Sequence, residues 1–466
     1  MAEMGTSSDL ELLVQLRRDN GEPLHQQLGT AIREAIRSRR LGAGAVLPSS
    51  RALARDLGLS RGVVVEAFEQ LVAEGHLTTR PGGATRVTEA AARRQAAAAG
   101  PAAAPSHRID FRYGRPDVTQ FPRTAWLRSL RRVMNEAPSD QFSYLDGRGA
   151  PELRMALAAY LDRVRGTCAH PDNLVISTGF AQALGLTVRV LQEAGAKRLA
   201  VEDPSLDDAR DIARAAGLQV IGIPVDEGGI QVDVLQGSAA DALLVTPAHQ
   251  MPTGGVLPAD RRAALVAWAT AREALIIEDD YDAEYRYDRT PIGAIQGLAP
   301  DRVIYAGSSS KTLAPGLRLG WLLAPTFMVE ALAAAKERAD RGSPIIEQLA
   351  FADFLARGEF DRHLRRMRPI YRRRRDALLT ALARSLPRLR PMGASAGLHV
   401  MTQLPAPIGE AAIVESAAER GLGLYGVEKY RISPGPPGLL FGYASLAEAT
   451  IEEGVGLLAA ALEQLG

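Results

Sequence analysis

Apolar and polar residues alternate with helical spacing in the first ninety residues. Apolar side chains recur every three to four positions from Leu24 to Ile36, which predicts an amphipathic helix. Two further helical patterns each follow a serine and end near a glycine, at Gly58 and Gly75. Two extended pieces around the Pro-Gly-Gly sequence at 81–83 predict a hairpin. Helix, short helix, helix and hairpin in this order predict a winged helix-turn-helix.

Beyond residue 107 the pattern changes to short apolar runs that alternate with helical segments. This alternation is typical of βαβ units and predicts an α/β domain built on a mostly parallel sheet. The last hundred residues predict a smaller α+β lobe with a long arginine-rich helix and two strands. The predicted strands of the main sheet are 174–179, 198–203, 242–247, 274–280 and 302–308.

An alanine-rich segment separates the two regions. It reads EAAARRQAAAAGPAAAPSH and has no apolar periodicity that could bury a core. We therefore predict a winged-helix domain over residues 18–88, an Ala/Pro-rich linker over 89–107 and a large α/β domain over 108–466.

Composition narrows the class of protein further. The 55 basic residues are balanced by 54 acidic ones, and no run of eighteen apolar residues predicts a membrane span. The N-terminus lacks the pattern of a secretory signal. The single cysteine, Cys168, excludes an intrachain disulfide and a thiolate-cluster metal site. We expect a cytoplasmic protein that contacts no membrane and holds no metal ion.

Arginines of the N-terminal region stand where DNA contacts are expected. Residues 21–88 contain nine arginines against six acidic residues, which is a modest excess. Arg51 and Arg61 open the two helices of the predicted helix-turn-helix, beside Ser50 and Ser60. Arginine binds guanine edges and phosphates through two parallel hydrogen bonds. For any single arginine, a solvated position at a helix start is the alternative interpretation.

The predicted hairpin adds a second candidate contact. Arg80 and Gly82 lie at its tip, where a small turn fits the minor groove next to the recognition helix. We therefore predict double-stranded DNA as a partner, with these two residues in the wing.

The chain has only four lysines, which narrows any function that needs a primary amine. Lys197, Lys336 and Lys429 are expected at the surface, in a loop, a charged helix and a polar loop. Lys311 is different because it follows a predicted strand and three serines. Ligands of α/β sheets bind at the carboxyl ends of the strands, so Lys311 is the candidate for a Schiff base with an aldehyde cofactor.

The residues around Lys311 suit pyridoxal 5′-phosphate. Ser308, Ser310 and Arg318 offer hydroxyls and a guanidinium to a phosphate. Asp279 ends another apolar strand and can pair with a protonated pyridine nitrogen, while Tyr281 can donate a hydrogen bond to the ring oxygen O3′.

A third strand end adds an anion site. The sequence STGFAQAL turns from strand to helix, so Gly179, Phe180 and Ala181 can present backbone N–H groups to the phosphate. Each of these elements alone is a weak signal. Three of them in chain order, each at a strand's carboxyl end, favour a pyridoxal phosphate site.

Two resemblances support these predictions. The N-terminal sequence LPSSRALARDLGLSRGVVVEAFEQLVAEGHL resembles the GntR-type winged-helix reader. The whole chain resembles the MocR-type regulators, which join such a head to a fold-type I aminotransferase-like domain. The motifs that carry this second resemblance are YLDGRGAPELR, STGFAQAL, PAHQMPTGG, IIEDDYDAEYRY and GSSSKTLAPGLRLGW.

The resemblance implies roles for individual residues. Lys311 would carry the aldimine, Asp279 would meet the pyridine nitrogen and Tyr281 would meet O3′. The phosphate would be bound by Ser308, Ser310 and Arg318, together with the partner subunit's Tyr144. Members of the family form head-to-tail, domain-swapped homodimers, which implies the same assembly for this chain.

Three departures from the aminotransferase pattern bear on function. Leu206 stands where many relatives have an aromatic ring over the pyridine, and Met251 replaces an asparagine before Pro-Thr-Gly. The sequence GLLFGYAS lacks the arginine that holds a substrate carboxylate in aminotransferases, and Arg431 is the nearest substitute. The loss of this anchor argues against efficient amino-acid turnover, although a transaminase half-reaction stays open. For Leu206, an ordinary apolar core residue is the alternative interpretation.

The effector has several interpretations. The missing carboxylate anchor favours sensing of pyridoxal phosphate itself, as in the PdxR-like branch that controls vitamin B6 synthesis. An amino compound such as γ-aminobutyrate or taurine, bound as an external aldimine, is the competing effector. An active aminotransferase with an accessory DNA-binding head is the rival from another functional class.

Overall fold

The computed structural model describes residues 16–18, 21–79, 83–90, 107–144, 146–287, 292–393, 395–405 and 408–465. The chain separates into two compact units, Met1–Pro105 and Ser106–Gly466. Each unit has its own core and is described by itself. Among the described residues, no helix is both long and apolar enough to cross a bilayer.

The first unit contains a three-helix head with a small hairpin. Its core is built from the apolar faces of the helices, including Leu28, Ile32 and Phe68. The strands pair antiparallel, with Leu77 opposite Val87, which confirms the predicted hairpin, although its tip at 80–82 lies outside the described residues. Its elements are α1 (Leu24–Arg37), α2 (Ser50–Asp56), α3 (Arg61–Ala73), β1 (Leu77–Thr78) and β2 (Arg86–Val87).

The second unit is organised around a mixed sheet of eight strands in the order β4-β11-β10-β9-β8-β5-β6-β7. The five predicted strands are all present, and four of them form its parallel centre, β10-β9-β8-β5. The strands are β4 (Leu174–Ser177), β5 (Arg198–Asp203), β6 (Gln219–Asp226), β7 (Gly229–Ile230), β8 (Ala242–Val245), β9 (Leu275–Asp280), β10 (Val303–Ser308) and β11 (Gly320–Leu323).

Helices cover both faces of this sheet, because its central strands are apolar on both sides. Single-turn 3-10 helices link several elements: Val118–Gln120, Ser139–Phe142, Pro171–Asn173, Ile295–Gly297, Pro315–Leu317 and Glu428–Tyr430. The helices of this part are α4 (Arg123–Glu136), α5 (Pro151–Arg165), α6 (Phe180–Glu193), α7 (Asp207–Ala215), α8 (Val232–Gly237), α9 (Ala259–Arg272), α10 (Thr326–Asp340) and α11 (Ile345–Ala356).

A smaller lobe completes the second unit, as the sequence predicts. A four-stranded antiparallel sheet in the order β12-β13-β16-β15 packs with the last helices of the chain. A separate parallel pair, β3 with β14, joins the start of the unit to this lobe. The remaining elements are β3 (Ile109–Asp110), α12 (Glu359–Ser385), β12 (Arg390–Met392), β13 (His399–Gln403), α13 (Glu410–Glu419), β14 (Leu422–Gly423), β15 (Tyr425–Gly426), β16 (Gly438–Gly442) and α14 (Glu448–Leu465).

Candidate functional site

A cleft of about 670 Å³ opens at the carboxyl ends of the central strands. This volume lies in the range of small-molecule sites in proteins. The parallel strands end at one edge of the sheet, so residues far apart in sequence meet there. Of the predicted cofactor residues, those that line the cleft are Phe180, Ala181, Asp279, Tyr281, Ser308, Ser310, Lys311 and Arg318.

Lys311 extends from the segment after β10 into the cleft. Its Nζ donates a hydrogen bond to the carbonyl oxygen of Gly114 at 2.8 Å and lies 5.4 Å from the centroid of the Tyr113 ring. Burial lowers the pKa of the Lys311 amine, although the charges of Asp282 and Asp279 oppose this shift. A lowered pKa increases the unprotonated fraction at neutral pH, and this is the form that attacks an aldehyde.

Asp279 supplies a buried carboxyl at the end of β9. Burial raises the pKa of this carboxyl well above its usual range, and the charge of Asp280 adds to the effect, while Lys311 opposes it. A positively charged group of a bound ligand, in addition to Lys311, would stabilise the ionised form of the Asp279 carboxyl, because an opposite charge offsets desolvation. The carboxyl therefore suits a ligand that carries a protonated ring nitrogen.

An anion cradle lies at the N-terminus of helix α6. The helix begins after Gly179 and has no acidic residue in its first turn, so its free N–H groups favour a negative charge. The guanidinium of Arg318 lies beside this terminus, where a Cβ on Gly179 would approach Nη2 to 3.0 Å. Ser308 and Ser310 stand on the same wall, and the Ser310 N–H donates to the Ser308 hydroxyl at 3.2 Å.

Together these groups fit pyridoxal phosphate. The cradle offers backbone donors, hydroxyls and a guanidinium to a phosphate dianion. The Lys311 amine and the Asp279 carboxyl line the same cleft and are available to the aldehyde and the ring nitrogen. The fit rests on the kinds of donor present and on the glycine that leaves room for Arg318.

Three predicted residues of the cofactor and effector site do not line this cleft: Gly179 lies beside it at the start of α6, and Arg431 and Tyr144 line other hollows. Arg431, expected to anchor an effector carboxylate, lines another hollow, and its Nη2 donates to the carbonyl oxygen of Pro436 at 2.8 Å. Its role as an anchor stays a prediction. Tyr144 is 89% exposed and lies beside Arg341 at a further hollow. Its expected role was in the partner subunit's cleft, and this stays a prediction.

Several residues of the cleft were missed by the sequence analysis. Arg112 lines the wall, and its Nε donates to the Tyr425 hydroxyl at 2.9 Å. Lys429, expected as a loop residue, stands on the same wall, 3.8 Å from a carboxylate oxygen of Asp207. The basic and aromatic sequence FRYG directly after β3 was the available signal for Arg112.

Lys336 corrects a second expectation about the lysines. It is fully buried instead of exposed, because its Nζ lies 2.7 Å from both carboxylate oxygens of Asp340 and 2.9 Å from the Ser343 hydroxyl. Asp340 also accepts a hydrogen bond from Gln182 at 2.7 Å. The amine is occupied by this ion pair, which gives it a structural role.

The candidate DNA contacts outside the wing lie at the starts of the second and third helices of the head, α2 and α3. The cap of α2 is Ser49, whose hydroxyl accepts from the Ala52 N–H at 3.2 Å, and Ser50 is the first helical residue. Ser60 caps α3 as expected, with a longer bond of 3.5 Å.

The arginines at the two helix starts are available to a ligand. Arg51 and Arg61 are exposed, and neither guanidinium forms an ion pair or hydrogen bond with the part of the chain that the structure describes. The wing residues Arg80 and Gly82 lie outside the described residues, so their role stays a prediction.

Comparisons with known families agree with this two-part architecture. Residues 24–87 match the model of bacterial regulatory proteins of the gntR family, and residues 107–454 match the model of aminotransferase class I and II. The second match covers well over half of the chain.

Similar proteins combine both parts over nearly their whole length. The pyridoxine biosynthesis transcriptional regulator PdxR of Corynebacterium glutamicum is 35% identical over 439 residues, which cover 91% of this chain and 93% of that protein. The probable rhizopine catabolism regulatory protein MocR of Rhizobium meliloti is 30% identical and covers 96% and 95%.

A solved structure resembles the second unit alone. The α-aminoadipate aminotransferase LysN of Thermus thermophilus, complexed with N-(5′-phosphopyridoxyl)-L-leucine, has a TM-score of 0.71 and 28% identity. The match covers 77% of this chain and 92% of that structure. Together with the regulators above, this structure indicates that the chain joins a gntR-type head to an aminotransferase fold. The chain belongs to the gntR family of bacterial transcriptional regulators, in the MocR and PdxR group that carries an aminotransferase class I and II domain.

Proposed function

We propose that this regulator binds pyridoxal 5′-phosphate in the cleft and changes its affinity for operator DNA in response. The observation that carries this proposal is the meeting of a half-buried lysine, a buried carboxyl and an anion cradle in one cleft. The group would supply an aldehyde that captures primary amines when bound. The relative PdxR, named for pyridoxine biosynthesis, supports control of vitamin B6 synthesis as the physiological role.

The predicted cofactor residues each have a role in this proposal. Lys311 would hold the cofactor covalently, and Asp279 would pair with the protonated ring nitrogen. Tyr281 would donate a hydrogen bond to the phenolic oxygen of the ring. The phosphate would be bound by Ser308, Ser310, Arg318 and the N–H groups of Gly179, Phe180 and Ala181.

The head would read DNA through the starts of its helices. Arg51 and Arg61, beside Ser50 and Ser60, would contact bases and phosphates, and a wing with Arg80 and Gly82 would enter the minor groove. A homodimer with exchanged heads would place two such readers on a repeated operator, with Tyr144 reaching the partner's cleft. The cofactor then acts as a switch if it binds one arrangement of the heads better than the other.

An amino compound with an acidic group is the second candidate effector. The specific observation in its favour is Arg112, an arginine on the cleft wall that offers a guanidinium to a carboxylate or sulfonate. Two neighbours compete with a ligand for this guanidinium: an Asp110 carboxylate oxygen lies 3.7 Å from Nε of Arg112, and the Tyr425 hydroxyl accepts a hydrogen bond from Nε.

Cofactor attachment is tested by absorbance. Wild-type protein with added pyridoxal phosphate is expected to gain a visible band that survives gel filtration. Treatment with borohydride is expected to attach the cofactor permanently to Lys311. Lys311→Ala is expected to lose both, while Lys197→Ala, at an exposed lysine, keeps them. A wild type without the band would refute cofactor binding.

Enzyme and regulator are separated by a turnover assay. A regulator is expected to show at most one half-reaction per bound cofactor when an amino donor and a keto acid are both supplied. Sustained turnover, with operator binding unaffected by cofactor, would instead favour an aminotransferase with an accessory head.

A further inference from the structure

A buried group of polar side chains lies beside Tyr281, and none of them lines the cleft. His249, Asp282 and His399 are each at most 3% exposed, and their ligand-type atoms lie within 4.8 Å of one another. The sequence analysis singled out none of the three. They come from different segments, so the fold brings them together.

Asp282 orients the ring of His249. The two carboxylate oxygens of Asp282 lie 3.0 and 3.2 Å from Nδ1 of His249. An ionised carboxylate only accepts hydrogen bonds, so Nδ1 carries a hydrogen. Gly397 packs against the pair with φ +72°, and a Cβ there would lie 2.3 Å from Nδ1 and 2.6 Å from an Asp282 oxygen. This close packing leaves the ring no room to turn.

His249 contacts the Tyr281 hydroxyl through both its ring and its backbone carbonyl. The hydroxyl oxygen lies 3.1 Å from Nδ1 of His249 and 2.8 Å from the backbone carbonyl oxygen of His249. Because a carbonyl only accepts, the hydroxyl donates to it. The Nδ1 hydrogen is then shared between the Asp282 carboxylate and the tyrosine oxygen.

We propose that His249, held by Asp282, is a positioning residue for Tyr281: it fixes the hydroxyl oxygen from the protein side and leaves the hydroxyl hydrogen free to turn from the His249 carbonyl to an acceptor in the cleft. This inference rests on the proposed function, in which the phenolic oxygen of pyridoxal phosphate is that acceptor. A hydroxyl that accepts one hydrogen bond donates a stronger one, since neighbouring bonds polarise each other.

The surrounding charges keep Tyr281 in its donor form. Burial raises the pKa of the Tyr281 hydroxyl well above its usual value, and the groups that face it add to this effect: Asp282, Tyr113, Asp279 and Glu202. The hydroxyl therefore keeps its hydrogen at neutral pH.

His399 packs against the pair as a neutral ring. Its Nε2 donates to the carbonyl oxygen of Pro252 at 3.1 Å, and its buried Nδ1 has no hydrogen-bond partner. Burial lowers the pKa of His399 well below its usual value, and His249 adds to the shift. The three side chains also have the composition of a metal site. We favour the proton arrangement because Nδ1 of His249 already faces two acceptors at hydrogen-bond distance.

The test is the pH midpoint of the visible band of the cofactor-loaded protein. By donating a hydrogen bond, Tyr281 would stabilise the deprotonated form of the bound cofactor, which carries more negative charge on its phenolic oxygen. A weaker donor therefore raises the midpoint. His249→Gln, whose amide reaches toward the Nε2 position, is expected to raise it by about half a pH unit or more.

A matched variant and a double variant separate positioning from mere packing. His249→Asn places an amide N–H near the Nδ1 position and is expected to keep the midpoint close to that of wild type. Tyr281→Phe is expected to raise the midpoint further, and His249→Gln is expected to add nothing in that background. An unchanged midpoint in loaded His249→Gln, or a full shift that persists without the Tyr281 hydroxyl, would overturn the inference.

Two further measurements address the cases in which His249→Gln does not fold or the three side chains bind a metal ion. If His249→Gln does not fold, the Nδ1–H signal of His249 in protein labelled with ¹⁵N-histidine is expected to move when pyridoxal phosphate is added, and a fixed signal would refute the coupling. One zinc ion per chain, with a midpoint that changes on its removal, would assign the three side chains to a metal instead. A wild type with no visible band refutes the proposed function, and the inference falls with it.

Discussion

Replacement of Gly179 by alanine is the sharpest perturbation of the anion cradle. Gly179 has φ +107° and ψ 176°, a region of backbone space that is accessible almost only to glycine. Holding alanine there costs about 1–3 kcal/mol of unfolding free energy. The added Cβ would also lie 3.0 and 3.2 Å from the two terminal nitrogens of Arg318, so the guanidinium must shift.

The shift of Arg318 has its own effect on cofactor binding. A hydrogen bond to a charged group contributes about 1.5–3 kcal/mol, so its weakening by the displaced guanidinium lowers the affinity for the phosphate by up to about tenfold. The affinity for pyridoxal phosphate is measured by titrating the visible band, and the free energy of unfolding by urea denaturation. Both quantities are expected to fall in Gly179→Ala.

Gly316→Ala is the matched control. Gly316 lies in the same connection as Arg318, and a Cβ there meets no atom within 4 Å. This variant is expected to bind pyridoxal phosphate like wild type. If Gly179→Ala binds the cofactor with wild-type affinity and unfolds at the wild-type urea concentration, the account of the cradle is wrong.

Three further predictions concern the head and the core. Arg61→Ala is expected to weaken operator binding by about tenfold, whereas Arg37→Ala, at an exposed arginine outside the helix-turn-helix, is expected to have a smaller effect; equal losses in a gel-shift assay would contradict the assigned contact. Ser49→Ala is expected to lower the stability of the head by about 1 kcal/mol through loss of a cap, and Ser50→Ala is not, as thermal melts would show. Burial lowers the pKa of His363 to about 4, so the unfolded chain binds a proton that the folded chain does not as pH falls from 6.5 toward 4. Stability should therefore decline over this window, and His363→Gln should flatten the decline in urea titrations at several pH values; an unchanged slope would refute the assignment.

The sequence predicted the parts of the cleft that lie at strand ends. Lys311 and Asp279 each follow an apolar run, and the parallel pairing of β9 with β10 brings their strand ends together. This rule needs only local pattern and the geometry of a parallel sheet.

The remaining cleft residues depend on long-range packing that local pattern does not contain. Arg112 meets the Tyr425 hydroxyl across more than three hundred residues, through the pairing of β3 with β14. Arg431 lines another hollow, where its own loop supplies the Pro436 carbonyl as an acceptor. Lys336 is buried because Asp340 follows four residues later on the same helix and neutralises it.

The contact between His249 and Asp282 could not be predicted from the sequence. Neither residue stands in a spacing that indicates joint chemistry, since 33 positions separate them. Their contact depends on the turn after β9 and on the glycine at 397 that leaves space for both side chains.

The most direct test of the central claim is a titration of operator binding with pyridoxal phosphate. The operator is first selected by the full chain from a pool of random DNA duplexes, and affinity is then measured by fluorescence anisotropy at fixed salt, because phosphate contacts make it salt-dependent. The account predicts that pyridoxal phosphate changes the affinity of wild type severalfold and leaves that of Lys311→Ala unchanged. Equal affinities of wild type with and without saturating cofactor would contradict it.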